Sequence, residues 1–298
     1  MTPEIAHTTI SPEERMSSWR HLAATLRHAM WIGWQMESNW TSTWVYILYA
    51  AVRPMALCMI LYYLYMVVSA NPAADPTFIS IYVGNAFFTI FVAVAGGVAW
   101  VIIQDREHFR IIRYIYMAPS PFWLYILGRA LIVLVIALVS LAIILVFAST
   151  VLAMPVGFAH IHWHLLIPAT VMGIVSAAAM GMIFAGVCLI TARHSMMMAE
   201  GAGAVFLLTC GVLYPVDAMP LVARWVGMAL PMTYWMELVR RAFGGLGFSP
   251  VLKGIGNAPL MGVLAALTVA FTASAFWVFR ACENNAKRRG VLDQTTNY

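Results

Sequence analysis

The sequence predicts an all-α integral membrane protein, and three observations predict it. Of the 298 residues, 62% are hydrophobic and only 10% charged, against roughly 25% charged in soluble domains. Six apolar runs are long enough for helical spans. The basic residues gather at the ends of those runs, mostly on one side, which is the pattern that orients membrane helices. The net charge of +5 is accounted for by these flanks, so no nucleic-acid partner is expected.

The chain reads as one transmembrane domain over 1–298. Ser11-Pro12-Glu13-Glu14 resembles a helix start, with a capping serine, proline in the first turn and Glu14 three residues on. Trp19, Leu22, Leu26, Met30 and Gly33 follow at helical spacing, with Arg20 and Arg27 on another face. This predicts an amphipathic interface helix over 12–37, lying on the inner membrane surface. The first forty residues lack a short apolar core followed by small residues, so no cleaved leader is expected.

Spans 1–4 occupy 43–68, 78–103, 121–151 and 165–191, and spans 5 and 6 occupy 195–213 and 257–281. A charged segment, 104–118, joins spans 2 and 3, and a basic tail covers 282–298. Arg15, Arg106, Arg110, Arg113, Arg193, Arg280 and Lys287 fall on one side, which puts both termini in the cytoplasm. Residues 214–245 are too polar to cross a bilayer and are broken by Pro215, Pro220 and Pro231. They predict a re-entrant pair of half-helices at the outer face, tolerated where protein or a water-filled cavity covers the backbone.

Candidate functional residues sit in three places. Glu237, Arg240 and Arg241 share a helix face; with Asp217 and Tyr234 they form either an outer gate or a local ion-pair group. Arg53, beside Pro54, and Glu200 are intramembrane charges, costly unless paired, snorkelling or facing water. His160, His162 and His164 alternate in an outer loop without a nearby cysteine or carboxylate, so no metal site is expected. Cys58, Cys188, Cys210 and Cys282 are scattered and read as packing residues. Aromatics at span ends, among them Tyr62, Tyr65, Phe78, Tyr82, Trp163, Trp225 and Trp235, read as an interfacial belt or the lining of a route. Small residues from Ser176 to Gly186 give span 4 a smooth face, and Gly201 and Gly203 suggest the same near the start of span 5.

Two segments resemble the permease subunits of type-2 ABC exporters. In residues 104–130, QDREHFRIIRYIYMAPSPFWLYILGRA, the family's charged stretch is matched by Asp105-Arg106-Glu107. The place of its threonine- or serine-proline pair is filled by Ala118-Pro119, and that of its Gly-Lys or Gly-Arg pair by Gly128-Arg129. His108-Phe109-Arg110 stands where a Gly-Thr is common. The second segment carries Tyr214-Pro215 through Pro220, then Pro231-Met232-Thr233-Tyr234, Glu237 and Arg240, with Leu230 in place of the usual asparagine.

The resemblance implies a homodimer, or a pair of related permeases, bound to two separate ATPase subunits. ATP and magnesium would lie on those subunits, and this chain has no phosphate-binding loop of its own. It implies that Asp105, Arg106, Glu107, His108, Phe109, Arg110 and Arg113 couple the permease to the ATPase. The implied cargo is amphipathic: a lipid-linked saccharide, a glycolipid or a hydrophobic drug. The implied location is the bacterial inner membrane, in contact with membrane lipid, and the chain itself would not be an enzyme. The competing readings are an ion-coupled secondary transporter, which would need internal repeats and midplane carboxylates, and a membrane-embedded enzyme or assembly factor.

Overall fold

The computed structural model describes residues 12–38, 43–69, 71–118, 121–156, 161–191, 195–244 and 247–290. Among them there are helices and turns and no strand. The helices are α1 (Pro12–Ser38), α2 (Thr43–Met66), α3 (Pro76–Ile103), α4 (Ile112–Met117), α5 (Phe122–Thr150), α6 (Trp163–Ile190), α7 (Ser195–Thr209), α8 (Leu221–Met228), α9 (Pro231–Ala242), α10 (Pro250–Lys253) and α11 (Asn257–Arg289).

Local chemistry sets several of these boundaries. The Asp75 carboxylate accepts the Thr77 N–H at 2.8 Å and Pro76 fills the first helical position, so α3 starts there. Pro231 and Pro250 open α9 and α10 in the same way. Gly290, at φ 63°, closes α11.

Among the described residues four helical stretches are long and apolar enough to cross a membrane: Pro76–His108, Phe122–Thr150, Trp163–Ile190 and Asn257–Arg289. The first departs from the boundary expected at Ile103. The chain stays helical through a wide π turn, Gln104–His108, so the charged segment begins inside the helix. The expected spans 1 and 5 fall on α2, of 24 residues, and α7, of 15. At 1.5 Å per residue α7 is about 22 Å long, short of a ~30 Å hydrocarbon core.

At the centre, α6 lies between α3 and α11, while α5 packs on α3 and α1 packs on α5. The smooth face expected on α6 is there: Ser176, Ala177, Gly181 and Ala185 are buried. Close approach of this kind lets van der Waals packing hold helices together in lipid. A Cβ on Gly173 would run into the Trp235 indole, so α9 packs tightly over α6. A Cβ on Gly128 would meet that of Ala29 at 2.6 Å, which fixes α1 against the start of α5. Gly201 and Gly203, expected to do the same, meet no partner helix among the described residues, since a Cβ on either would find nothing within 4 Å there.

Two buried clusters stack along the bundle. One joins the first half of α3, the second half of α5 and the first half of α6 to α9. The other joins the end of α3, the start of α5, the end of α6 and the end of α11. The second lies at the end of the bundle that carries Arg106, Arg113, Arg280 and Lys287, called here the basic end. Part of the expected aromatic belt is core: Phe78, Tyr82 and Trp235 are fully buried. The Tyr82 hydroxyl donates to the Ile144 carbonyl at 3.3 Å.

Candidate functional site

Two polar groups stand at opposite ends of the bundle. At the basic end the π turn carries Asp105 and Arg106 inward, and each is only 1% exposed. Asp105 pairs with Arg129, eighth residue of α5 and 2% exposed. Arg129 also donates to the Gln104 side-chain oxygen at 2.8 Å. Arg106 reaches across to the Cys188 carbonyl at 2.7 Å, and its Nε meets Glu107 at 3.1 Å. Cys188 lies in the last turn of α6, whose carbonyls have no partner within the helix. Guanidinium groups suit that end, because they are charged donors placed against the negative end of the helix dipole. The knot thus ties the ends of α3, α5 and α6. Arg129 carries α1 as well, since Gly33 lies against its backbone and side chain.

The rest of the charged segment turns outward. Glu107 is half-buried, and His108, Phe109, Arg110 and Arg113 are exposed, with Tyr114 and Met117 beside them. Arg110 takes φ 54°, a left-handed conformation uncommon outside glycine. It ends the π turn and starts the chain toward α4. The seven residues expected to couple therefore divide, with Asp105 and Arg106 inside and His108, Phe109, Arg110 and Arg113 on the surface.

At the other end, α8 and α9 form the paired half-helices. The Thr233 hydroxyl donates to the Gly227 carbonyl and the Tyr234 hydroxyl to the Met228 carbonyl at 2.9 Å, which satisfies the end of α8. Glu237, 1% exposed, pairs with Arg241 at 3.3 Å and accepts the Phe248 N–H at 3.2 Å from each oxygen. Arg241 goes on to the Leu252 carbonyl at 2.6 Å, the Ile255 carbonyl at 2.8 Å and the Asn257 side chain at 3.0 Å. It fastens α9 to the end of α10 and the start of α11.

Arg240, three residues on from Glu237 along α9, directs its guanidinium to other acceptors. It is 4% exposed and donates to three carbonyls: Ser80 at 3.0 Å, Gly211 at 2.9 Å and Val212 at 2.6 Å. The Phe248 ring lies 4.4 Å from its guanidinium carbon. Gly211, at φ 66°, turns the chain after α7, and Arg240 collects the carbonyls freed there. Asp217 accepts the Ser249 hydroxyl at 2.6 Å and the Val251 N–H at 3.3 Å, and pairs with Arg224 at 3.4 Å.

Arg53 lies on α2 and Glu200 on α7, but their side chains are outside the described residues, as is His160. The His162 and His164 rings stand 5.8 Å apart. No group of three or more His, Cys, Asp or Glu that could hold a metal occurs among the described residues.

Sequence reasoning missed Gln104, Phe248, Ser249 and the Cys188 carbonyl, and it read Arg129 as a flanking charge and half of the glycine-basic pair, not as a buried partner of Asp105. The available signal was Arg129 itself, an arginine inside an apolar helix, which needs an acidic or carbonyl partner. Both groups are chemically suited to bracing backbone rather than to acid–base or nucleophilic work, because their charged atoms are held by carbonyls, amides and opposite charges.

The family model for the ABC-2 type transporter matches residues 27–243, from within α1 to the residue after α9. A search of curated proteins gave no match. The chain belongs to the ABC-2 type transporter family, as a multi-pass membrane permease subunit of an ABC transporter.

Proposed function

We propose that the chain is the permease of an ATP-driven exporter, working as a homodimer with two separate ATPase subunits. Six spans cross the bacterial inner membrane with both termini in the cytoplasm, so the basic end faces the cytoplasm. The family match over residues 27–243 carries this reading. The gathering of Arg110, Arg113, Arg280 and Lys287 at one end supports the orientation. ATP and magnesium bind the ATPase. The cargo is amphipathic, with a lipid-linked saccharide, a glycolipid and a hydrophobic drug as the classes to try.

In this reading the surface from His108 to Met117 docks on the ATPase. The Asp105–Arg129 pair and the Arg106–Cys188 bond then transmit its movement, because they join the docking segment to three membrane helices. Asp217, Tyr234, Glu237, Arg240 and Arg241 brace the outer half-helices, which move as one piece when the route opens. The test is reconstitution in proteoliposomes with an ATPase encoded beside this chain. ATP-dependent movement of an amphipathic cargo is expected. Transport by the chain alone, without any ATPase, would overturn the reading.

A further inference from the structure

A cavity of about 380 Å³ opens at the basic end, between α4, the start of α5 and the end of α11. It is of the size that holds a small ligand group. Tyr116, Phe122, Trp123 and Phe276 form its apolar walls, and Arg280 and Lys287 line it against the single carboxylate of Glu283. The Tyr116 and Phe122 rings stack with centroids 4.4 Å apart. Exposed Trp123 and Phe276 border it, with exposed Trp277 next along α11.

Three features point to an occupant with both a charge and an apolar body. Lys287 is engaged, bonded to Glu283 at 2.7 Å and 4.9 Å from the Tyr116 ring centre. Arg280 has only the Phe276 ring, 4.6 Å from its guanidinium carbon, and no carboxylate among the described residues. The Tyr116 hydroxyl is buried, with no hydrogen-bond partner among the described residues. A buried hydroxyl of that kind costs free energy until something accepts its proton. With Glu283 held by Lys287, a phosphate entering between α4 and α11 supplies a counter-charge to Arg280 and an acceptor to the Tyr116 hydroxyl. The aromatic border suits the level of lipid headgroups in a bilayer.

We infer that this cavity binds the phosphate headgroup of an anionic phospholipid, with Arg280 and the Tyr116 hydroxyl as its ligands and its acyl chains against Trp123 and Phe276. The inference rests on the membrane placement of α5 and α11, not on the ATPase or the cargo. Half of the cavity wall belongs to α11, which lies beyond the stretch matched by the family model.

The test is native mass spectrometry of the full chain in neutral detergent. It is titrated separately with phosphatidylglycerol, phosphatidylcholine and glycerol 3-phosphate. The expected result is a saturable phosphatidylglycerol adduct at least fivefold tighter than that of phosphatidylcholine, with no glycerol 3-phosphate adduct. Arg280→Gln and Tyr116→Phe should each weaken it about fivefold or more. Arg289→Gln, which removes one charge from the same helix outside the cavity lining, should leave it within twofold. Equal loss in Arg280→Gln and Arg289→Gln would mean diffuse attraction to a basic helix and overturn the site. Equal binding of phosphatidylcholine, or binding of glycerol 3-phosphate as tight as that of the lipid, would overturn the anionic-lipid assignment. Lipid binding is read without ATPase or transport, so this result and the permease reading can fail independently.

Discussion

Arg129 and Arg240 do similar work at opposite ends of the molecule. Each is buried, and each spends its guanidinium on protein acceptors from other helices. Removing one member of a buried ion pair leaves the other charge uncompensated, at a cost of about 3–5 kcal/mol. Arg129→Gln should therefore lower stability in detergent by roughly that amount, read from the midpoint of thermal or denaturant unfolding. Removing both charges, with Asp105→Asn and Arg129→Gln together, should cost clearly less than the two single changes summed. Simple additivity would mean that the pair contributes nothing as a pair. The charges around Asp105 were legible in the sequence, but their burial was not. Their partners are 24 positions away for Asp105 and 82 for Arg106, and periodicity along one segment carries no information about such distant partners.

At the level of elements, the sequence located the helices well where apolar periodicity was clear, as in the helix expected over 12–37 and found at Pro12–Ser38, while its expected cap Ser11 lies outside the described residues. α3 ends at the expected Ile103, but the chain stays helical through the π turn, which directs Asp105 and Arg106 inward. The segment's departure from the family pattern at His108-Phe109-Arg110 is where Arg110 takes a left-handed backbone. Small residues proved informative only where a partner helix is present. Gly173→Ala forces a methyl into the Trp235 indole and should destabilise by about 1–3 kcal/mol, as overpacking does. Gly201→Ala, in open space, should be neutral or slightly stabilising. Equal effects would contradict the α6–α9 contact. At the α3 cap, hydrogen bonds from the Tyr65 hydroxyl and the Thr77 N–H hold the Asp75 carboxyl below its usual range. A lowered folded-state value means the cap stabilises at neutral pH, and that contribution is lost as pH falls through the acid range. Asp75→Ala should thus cost about 0.5–2 kcal/mol at neutral pH. The gap between wild type and variant should narrow on acidification; a gap independent of pH would argue against the carboxylate cap.

For the whole molecule, the two buried polar knots brace the helices at either end, and the face from His108 to Met117 is left exposed at the basic end. The multi-pass architecture was legible from composition alone, and the family from two short segments read in order. The division of the coupling segment into a buried brace and an exposed face was not, because it depends on which side of α3 the turn faces. That division sharpens the proposed docking: in that reading the ATPase touches Arg110 and Arg113, not the buried Asp105. The direct measurement is the affinity of the purified permease for its ATPase subunit, in detergent or nanodiscs. Wild type is compared with the double variant Arg110→Glu, Arg113→Glu, after its thermal midpoint has been shown unchanged. The predicted result is at least a tenfold loss of ATPase binding, with the permease still folded and membrane-inserted. Undiminished binding by the folded double variant would contradict the account.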